Sequence, residues 1–166
     1  MEYLKSSPSQ SESDKNLLRS ASLAEISLKY RVQVPLDEMP CIHSPQDAIE
    51  LLRSVWDEDK IQLHEEFVVL LLNTRKRCLG WSKISSGGST STIVDPATIF
   101  QVALLSNATS IILAHNHPSG NIGPSSADKN ITQRIKKVGE MLGINVVDHF
   151  ILTANAYFSF KEENIL

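Results

Sequence analysis

"LAHNHPSGNIGPSSAD", residues 113–128, decides how this 166-residue chain is read. It begins as the end of an apolar run, "TSIILAHNH" (109–117), which has the character of a buried strand. Side chains two apart on a strand share a face, so His115 and His117 point the same way. Two imidazoles placed like that can chelate one ion without bending the backbone. Pro118 then stops the strand, and the run "SGNIG" lets the chain curl back. Ser125 opens the next helix and sets Asp128 in its first turn. Two nitrogens and one carboxylate oxygen leave a fourth position for water, the donor set of a catalytic zinc site. A structural zinc site is closed by a fourth protein ligand, and the stretch offers none.

Asp128 has a second explanation. Ser125 and Asp128 form an S-x-x-D capping box ahead of an apolar helix, which is reason enough for a carboxylate there. An isolated H-x-H also arises by chance in chains of this size. The conjunction favours the metal: the histidines end a buried strand, where unpaired imidazoles are poorly solvated, and a carboxylate returns to the same point. A metal-activated water then needs a proton acceptor. Glu65 and Glu66 open the apolar run "EEFVVLLLN" (65–73) and point to opposite faces, so at most one can face the metal. Charges bounding a hydrophobic strand are equally read as solvated gatekeepers. His149, in "VVDHFIL", is either a satisfied core histidine or a group that orients a ligand. His43 and His64 read as surface or cap residues.

Working outward, residues 1–24 form a flexible, Ser-rich leader and 25–166 a single domain. Ile26, Leu28, Tyr30, Val32 and Val34 alternate with polar residues as in a half-buried strand. "HSPQDAIELLRSVW" (43–56) is a helix with Ser44 as N-cap, Pro45 at its first position and Asp47 closing a capping box. "CLGWSKISS" (78–86) is the antiparallel neighbour of the 65–73 strand, and "SSGGSTST" (85–92) is a loop, either a solvated connector or a backbone wall beside a substrate. Asp95 and Pro96 start a helix over 96–106 that is apolar almost all round, hence buried on two sides in the core or in a dimer contact. The helix opened by Ser125 ends at Gly143, and "INVVDHFIL" (144–152) and "AYFSF" (156–160) are strands. Interleaved strands and helices, with several strands too close for helical crossovers, predict an α/β fold with a mixed sheet.

Composition narrows the function. Apolar residues at 42% and charged residues at 21% are ordinary for a soluble globular protein, and the net charge of −3 gives no broad basic face for nucleic acid. Cys41 and Cys78 form no C-x-x-C pair and read as plain reduced thiols. With no apolar signal segment and no membrane-length run, the cytoplasm is the expected location. H-E-x-x-H, the deaminase H-x-E with P-C-x-x-C, G-x-G-x-x-G, a Walker loop and a nucleophile elbow are all absent.

H-x-H-P, six residues, then S-x-x-D resembles the JAMM signature of the JAB/MPN metallopeptidase fold: His115, His117, Pro118, Ser125 and Asp128. The strings "EEFVVLLLNT", "LLSNATSIILAHNHPSG" and "DHFIL" resemble its RadC-like branch over roughly residues 42–160. The resemblance implies a single mixed-sheet JAB/MPN domain, cytidine-deaminase-like in outline and flanked by helices. It implies Zn2+ held by His115, His117 and Asp128, and it selects Glu65 over Glu66 as general base. Ser125 matches a serine that hydrogen-bonds the developing oxyanion. The implied reaction is hydrolysis of an amide, peptide or isopeptide bond in a peptide or protein substrate. Longer RadC-like proteins carry an N-terminal helix-hairpin-helix-like region, for which residues 1–40 are too short and strand-like, so nucleic acid is expected only indirectly. Pro96-Ala97 stands where the branch often has Pro-Arg, so any substrate contact by that arginine is missing. The family's historical association with DNA repair supplies a competing expectation, a non-catalytic accessory that uses the fold as a binding platform.

Overall fold

The computed structural model describes residues 34–87 and 94–166. The leader, most of the expected strand at 26–34 and most of the small-residue loop lie outside those residues. Within them the order is α1 (Pro45–Val55), β1 (Glu66–Leu72), β2 (Cys78–Ser86), α2 (Pro96–Leu105), β3 (Ser110–Asn116), α3 (Ser126–Leu142), β4 (Asn145–Leu152) and β5 (Tyr157–Ser159). The strands form one mixed sheet ordered β2-β1-β3-β4-β5. β1 pairs antiparallel with both β2 and β3, β4 with β5 likewise, and only β3 and β4 run parallel, joined by the crossover helix α3.

All seven residues of β1 and six of the seven in β3 are buried, which explains why both read as nearly continuous apolar runs. Each sheet face carries its own core. Val68, Leu70, Leu72, Ile112, Ala114 and Phe150 pack with Ala48, Ile49 and Leu52 of α1. Phe67, Val69, Leu71, Ile111 and Leu113 pack on the other face with Ile99, Phe100 and Ala103 of α2 and Ile135 of α3. Burying one such large apolar side chain contributes roughly 1.5–3 kcal/mol. No helix among the described residues is long and apolar enough to cross a membrane.

Capping chemistry sets the helix starts. Ser44 and Asp47 close a capping box on α1, Ser125 and Asp128 on α3, and Asp95 accepts from the Ala97 amide at α2. Of the two alternatives for α2, burial on both sides within the core of the chain does not hold, while a dimer contact is not tested by a single chain. Pro96, Ile99, Phe100 and Ala103 are buried, whereas Leu104 and Leu105 are 57% and 51% exposed. One face meets the sheet and α3, and the C-terminal leucines turn outward.

α3 ends at Gly143, whose φ of 70° is the left-handed conformation glycine adopts freely. The reversal folds the chain so that the Ile144 amide donates to the Gly139 carbonyl at 2.9 Å. It also brings the Ile144 carbonyl oxygen against Gly139, where a Cβ would stand 2.4 Å from it. Alanine normally gains about 1 kcal/mol over glycine inside a helix. Here the obstacle is backbone, so Gly139→Ala should instead destabilise the domain by roughly 1–3 kcal/mol, read as a lowered midpoint in thermal denaturation.

Candidate metal centre

The register of β1 on β3 builds the site. Phe67 stands opposite His115, and Glu66 and Asn116 lie one step away on the other face. Extending that antiparallel register by two residues sets Glu65 across from His117. His115 is 1% exposed at the end of β3, and Phe67 stacks on its ring at 6.0 Å between centroids. His117 follows the strand, its amide donating to the Leu152 carbonyl at 2.9 Å. Its Nδ1 lies 2.6 Å from the Asn121 carbonyl oxygen. A carbonyl only accepts, so Nδ1 carries the proton and Nε2 presents its lone pair to the site. The turn that brings Asn121 back uses Gly120, at φ 80°.

Both readings of Asp128 hold at once. Oδ2 accepts from the Ser125 amide at 2.7 Å and the Ser125 hydroxyl at 2.6 Å, and the Asp128 amide donates to Ser125 Oγ at 3.1 Å. The same carboxylate faces the two imidazoles. His115 Nε2 and His117 Nε2 are 3.0 Å apart, His115 Nε2 to Asp128 Oδ1 is 3.4 Å, and His117 Nε2 to Asp128 Oδ2 is 3.6 Å. Ligand atoms from all three residues lie within 4.8 Å of one another, so the group could hold a metal ion. Ligand bonds of about 2.0–2.1 Å arranged tetrahedrally put neighbouring donors about 3.3 Å apart, close to all three separations. Two imidazole nitrogens at 3.0 Å also call for a proton or a cation between them.

The electrostatics act differently on the three donors. Burial pushes His115 down to about 4, only partly offset by Asp128, so its ring is neutral at physiological pH. The bond to Asp128 raises His117 against the effect of its own burial, and Glu65 adds a weaker pull in the same direction. Burial alone would raise the Asp128 carboxyl, but His117 and Ser125 outweigh it and hold the group well below the ordinary carboxylate range.

A groove of about 420 Å³ opens over this cluster, lined by Glu65, His115, His117, Ser125 and Asp128 with Phe67, Val94 and Ile131. The structure thus brings Glu65, His115, His117, Ser125 and Asp128 together, and it separates the two glutamates. Glu65 lines the groove, while Glu66 is 2% exposed and held by Lys83 Nζ at 2.7 Å on the opposite side of the strand. His43 is exposed and His64 half-buried, neither in the groove, and both cysteines are free thiols.

Two buried polar residues behind the groove were not legible as partners. Asn116, between the two histidines, points to the other face and is fully buried. Its Oδ1 accepts from the Glu66 amide at 2.7 Å, and its Nδ2 donates to the carbonyls of Ile61 at 2.7 Å and His64 at 2.9 Å. Those bonds grip the backbone on both sides of Glu65. Thr132, in α3, is also fully buried and meets His149. A polar residue in an apolar strand was the available signal for Asn116; nothing local linked it to residues 61–66.

Residues 42–165 match the family described as the RadC-like JAB domain. The chain belongs to that family. A UPF0758 protein of Flavobacterium johnsoniae is 43% identical over 124 residues, 75% of this chain and 53% of that protein. One from Clostridium kluyveri is 42% identical over 145 residues, 87% of this chain and 62% of the relative, and one from Aquifex aeolicus is 39% identical over 125 residues, 75% and 52%. The chain therefore spans little more than half the length of these relatives. The RadC-like match encloses β1, β3 and α3, and with them the histidines, Asp128 and Glu65.

In this RadC-like domain the Asn116 clamp should be costly to remove. Asn116→Leu preserves approximate size but strands one buried N–H and two carbonyls, at roughly 1–3 kcal/mol for each group left dry. Chemical denaturation should show a loss of about 3 kcal/mol or more without a change of fold class.

Proposed function

We propose that this domain is a zinc-dependent hydrolase of amide bonds, acting on a peptide, protein or isopeptide-linked substrate. The observation that carries the reading is the convergence of two neutral-capable imidazoles, one carboxylate and a second carboxylate, Glu65, in one groove. The donor set, two nitrogens and one oxygen with no fourth protein ligand among the described residues, suits zinc with an open position. When bound, zinc supplies a Lewis acid and water acidified towards neutral pH. His115, His117 and Asp128 hold it.

Glu65 takes the proton of the attacking water and returns it to the departing amine as the C–N bond breaks. Its place across from His117 sets it in the groove that the histidines line. Ser125 Oγ stands at the groove with its proton aimed at Asp128. Rotation of that O–H bond alone, with Oγ still accepting from the Asp128 amide, aims the proton at a developing oxyanion. Phe67, Val94 and Ile131 give the groove an apolar wall against which a peptide side chain packs.

Purified protein reconstituted with zinc should hold one ion per chain by elemental analysis, and His117→Ala should lose it. Glu65→Gln should keep the ion yet lose about 10²-fold or more in turnover of a fluorogenic peptide-amide library. Wild-type turnover by Glu65→Gln would remove Glu65 as the base, whereas no turnover by the zinc-loaded wild type, or zinc content indifferent to His117→Ala, would overturn the hydrolase. Full biological complementation by Glu65→Gln would favour a binding platform built on the same fold.

A further inference from the structure

Behind His115 lies a line of buried polar contacts that the proposed reaction does not use directly. His115 Nδ1 is 2.8 Å from His149 Nε2, His149 Nδ1 is 2.6 Å from Thr132 Oγ1, and Thr132 Oγ1 is 2.5 Å from the backbone carbonyl oxygen of Asp128. His149 and Thr132 are both 0% exposed. Phe160 stacks on the His149 ring at 4.6 Å, and Phe67 packs against it at 5.4 Å, so the ring plane is set by its neighbours.

A chain of three hydrogen bonds among two neutral imidazoles and one hydroxyl can run in either of two directions. The far end decides. The Asp128 carbonyl only accepts, so the Thr132 hydroxyl must give its proton there. Thr132 Oγ1 then has only lone pairs to offer His149, so His149 Nδ1 must be the donor. His149 Nε2 is left as acceptor, and the proton between the rings belongs to His115 Nδ1. Reversing the sense would set the Thr132 oxygen against the carbonyl oxygen at 2.5 Å with no proton between them.

We propose that His149 and Thr132 are positioning residues that lock His115 in its Nδ1–H tautomer. They thereby hold the Nε2 lone pair towards the metal, and the backbone of a metal ligand, Asp128, dictates the direction. β4 supplies His149, α3 supplies Thr132 and the Asp128 carbonyl, and β3 supplies the ligand, so the three elements that meet at the site are tied by one polarised line. For its functional meaning this rests on the metal reading of the site, but the tautomers are properties of the metal-free chain. Outer hydrogen-bond partners of ligating histidines typically change metal affinity 10- to 100-fold.

The test is a long-range 1H–15N correlation on 15N-labelled, chelator-stripped protein near neutral pH, paired with zinc competition titrations. In the wild type, His115 and His149 should each appear as the Nδ1–H form. Thr132→Val, nearly the same shape without the hydroxyl, should lose the single tautomer at His149 and weaken zinc by about 10–100-fold. Thr132→Ser should restore both, which replacement of a merely structural threonine would not require. His115 as Nε2–H in the wild type, or a folded Thr132→Val with unchanged tautomers and zinc affinity, overturns the proposal. Should Thr132→Val fail to fold, the wild-type spectrum and Thr132→Ser still decide it. The predicted tautomers in a protein that takes up no zinc support the line of bonds and sink the metal reading alone.

Discussion

The pairing of β1 with β3 is the constraint on which the rest depends. Because side chains alternate along a strand, the Phe67–His115 register decides at once which glutamate meets the histidines and which is buried against Lys83. A slip of one residue would exchange Glu65 for Glu66 and turn the apolar set of β1 to the wrong core. The register is correspondingly well defended. Both strands are buried on both faces, and Asn116 pins the segment before β1 through three hydrogen bonds. The position of the carboxylate in the groove thus follows from sheet packing, an interaction the groove itself does not contain.

Around that register the domain solves a recurring difficulty, how to bury polar atoms in a sheet without leaving any dry. Asp148 is an example away from the groove. Burial pushes its carboxyl up, yet it accepts from the amides of His149 at 2.7 Å and Lys161 at 3.0 Å and from the Ser159 hydroxyl at 2.6 Å. It thereby anchors the turn from β5 into the C-terminal segment, which carries the Phe160 ring over His149. Among buried side-chain nitrogens and oxygens of the described residues, Trp56 Nε1 alone has no partner. Polar groups in this core are few, and nearly all are fully engaged.

Much of this was legible in the sequence because the signals are local. Ser44, Pro45 and Asp47 announce α1 within four residues, and Ser125 with Asp128 announces α3 in the same way. The parity of His115 and His117 needs only strand geometry. The choice of Glu65 came from family resemblance, since parity alone allows either glutamate to face the histidines until the partner strand is known. Asn116 and Thr132 escaped for a related reason. Their partners lie across the sheet or on another element, and spacing along the chain says nothing about them. The outward turn of Leu104 and Leu105 escaped because an all-apolar helix carries no phase from which to read its buried face.

The shortness of the stretch 115–128 has a consequence for how the site comes into being. All three donors come from one strand end, one tight loop and one helix start, so bringing them together closes only a small loop and costs little chain entropy. Glu65 arrives from far upstream and is placed only when β1 docks. On the proposed hydrolase reading, assembling the donor set and adding the base are therefore separate acquisitions along the folding path. A partly assembled chain would already offer the three donors while lacking its base, which the long-range pairing that completes the sheet would supply.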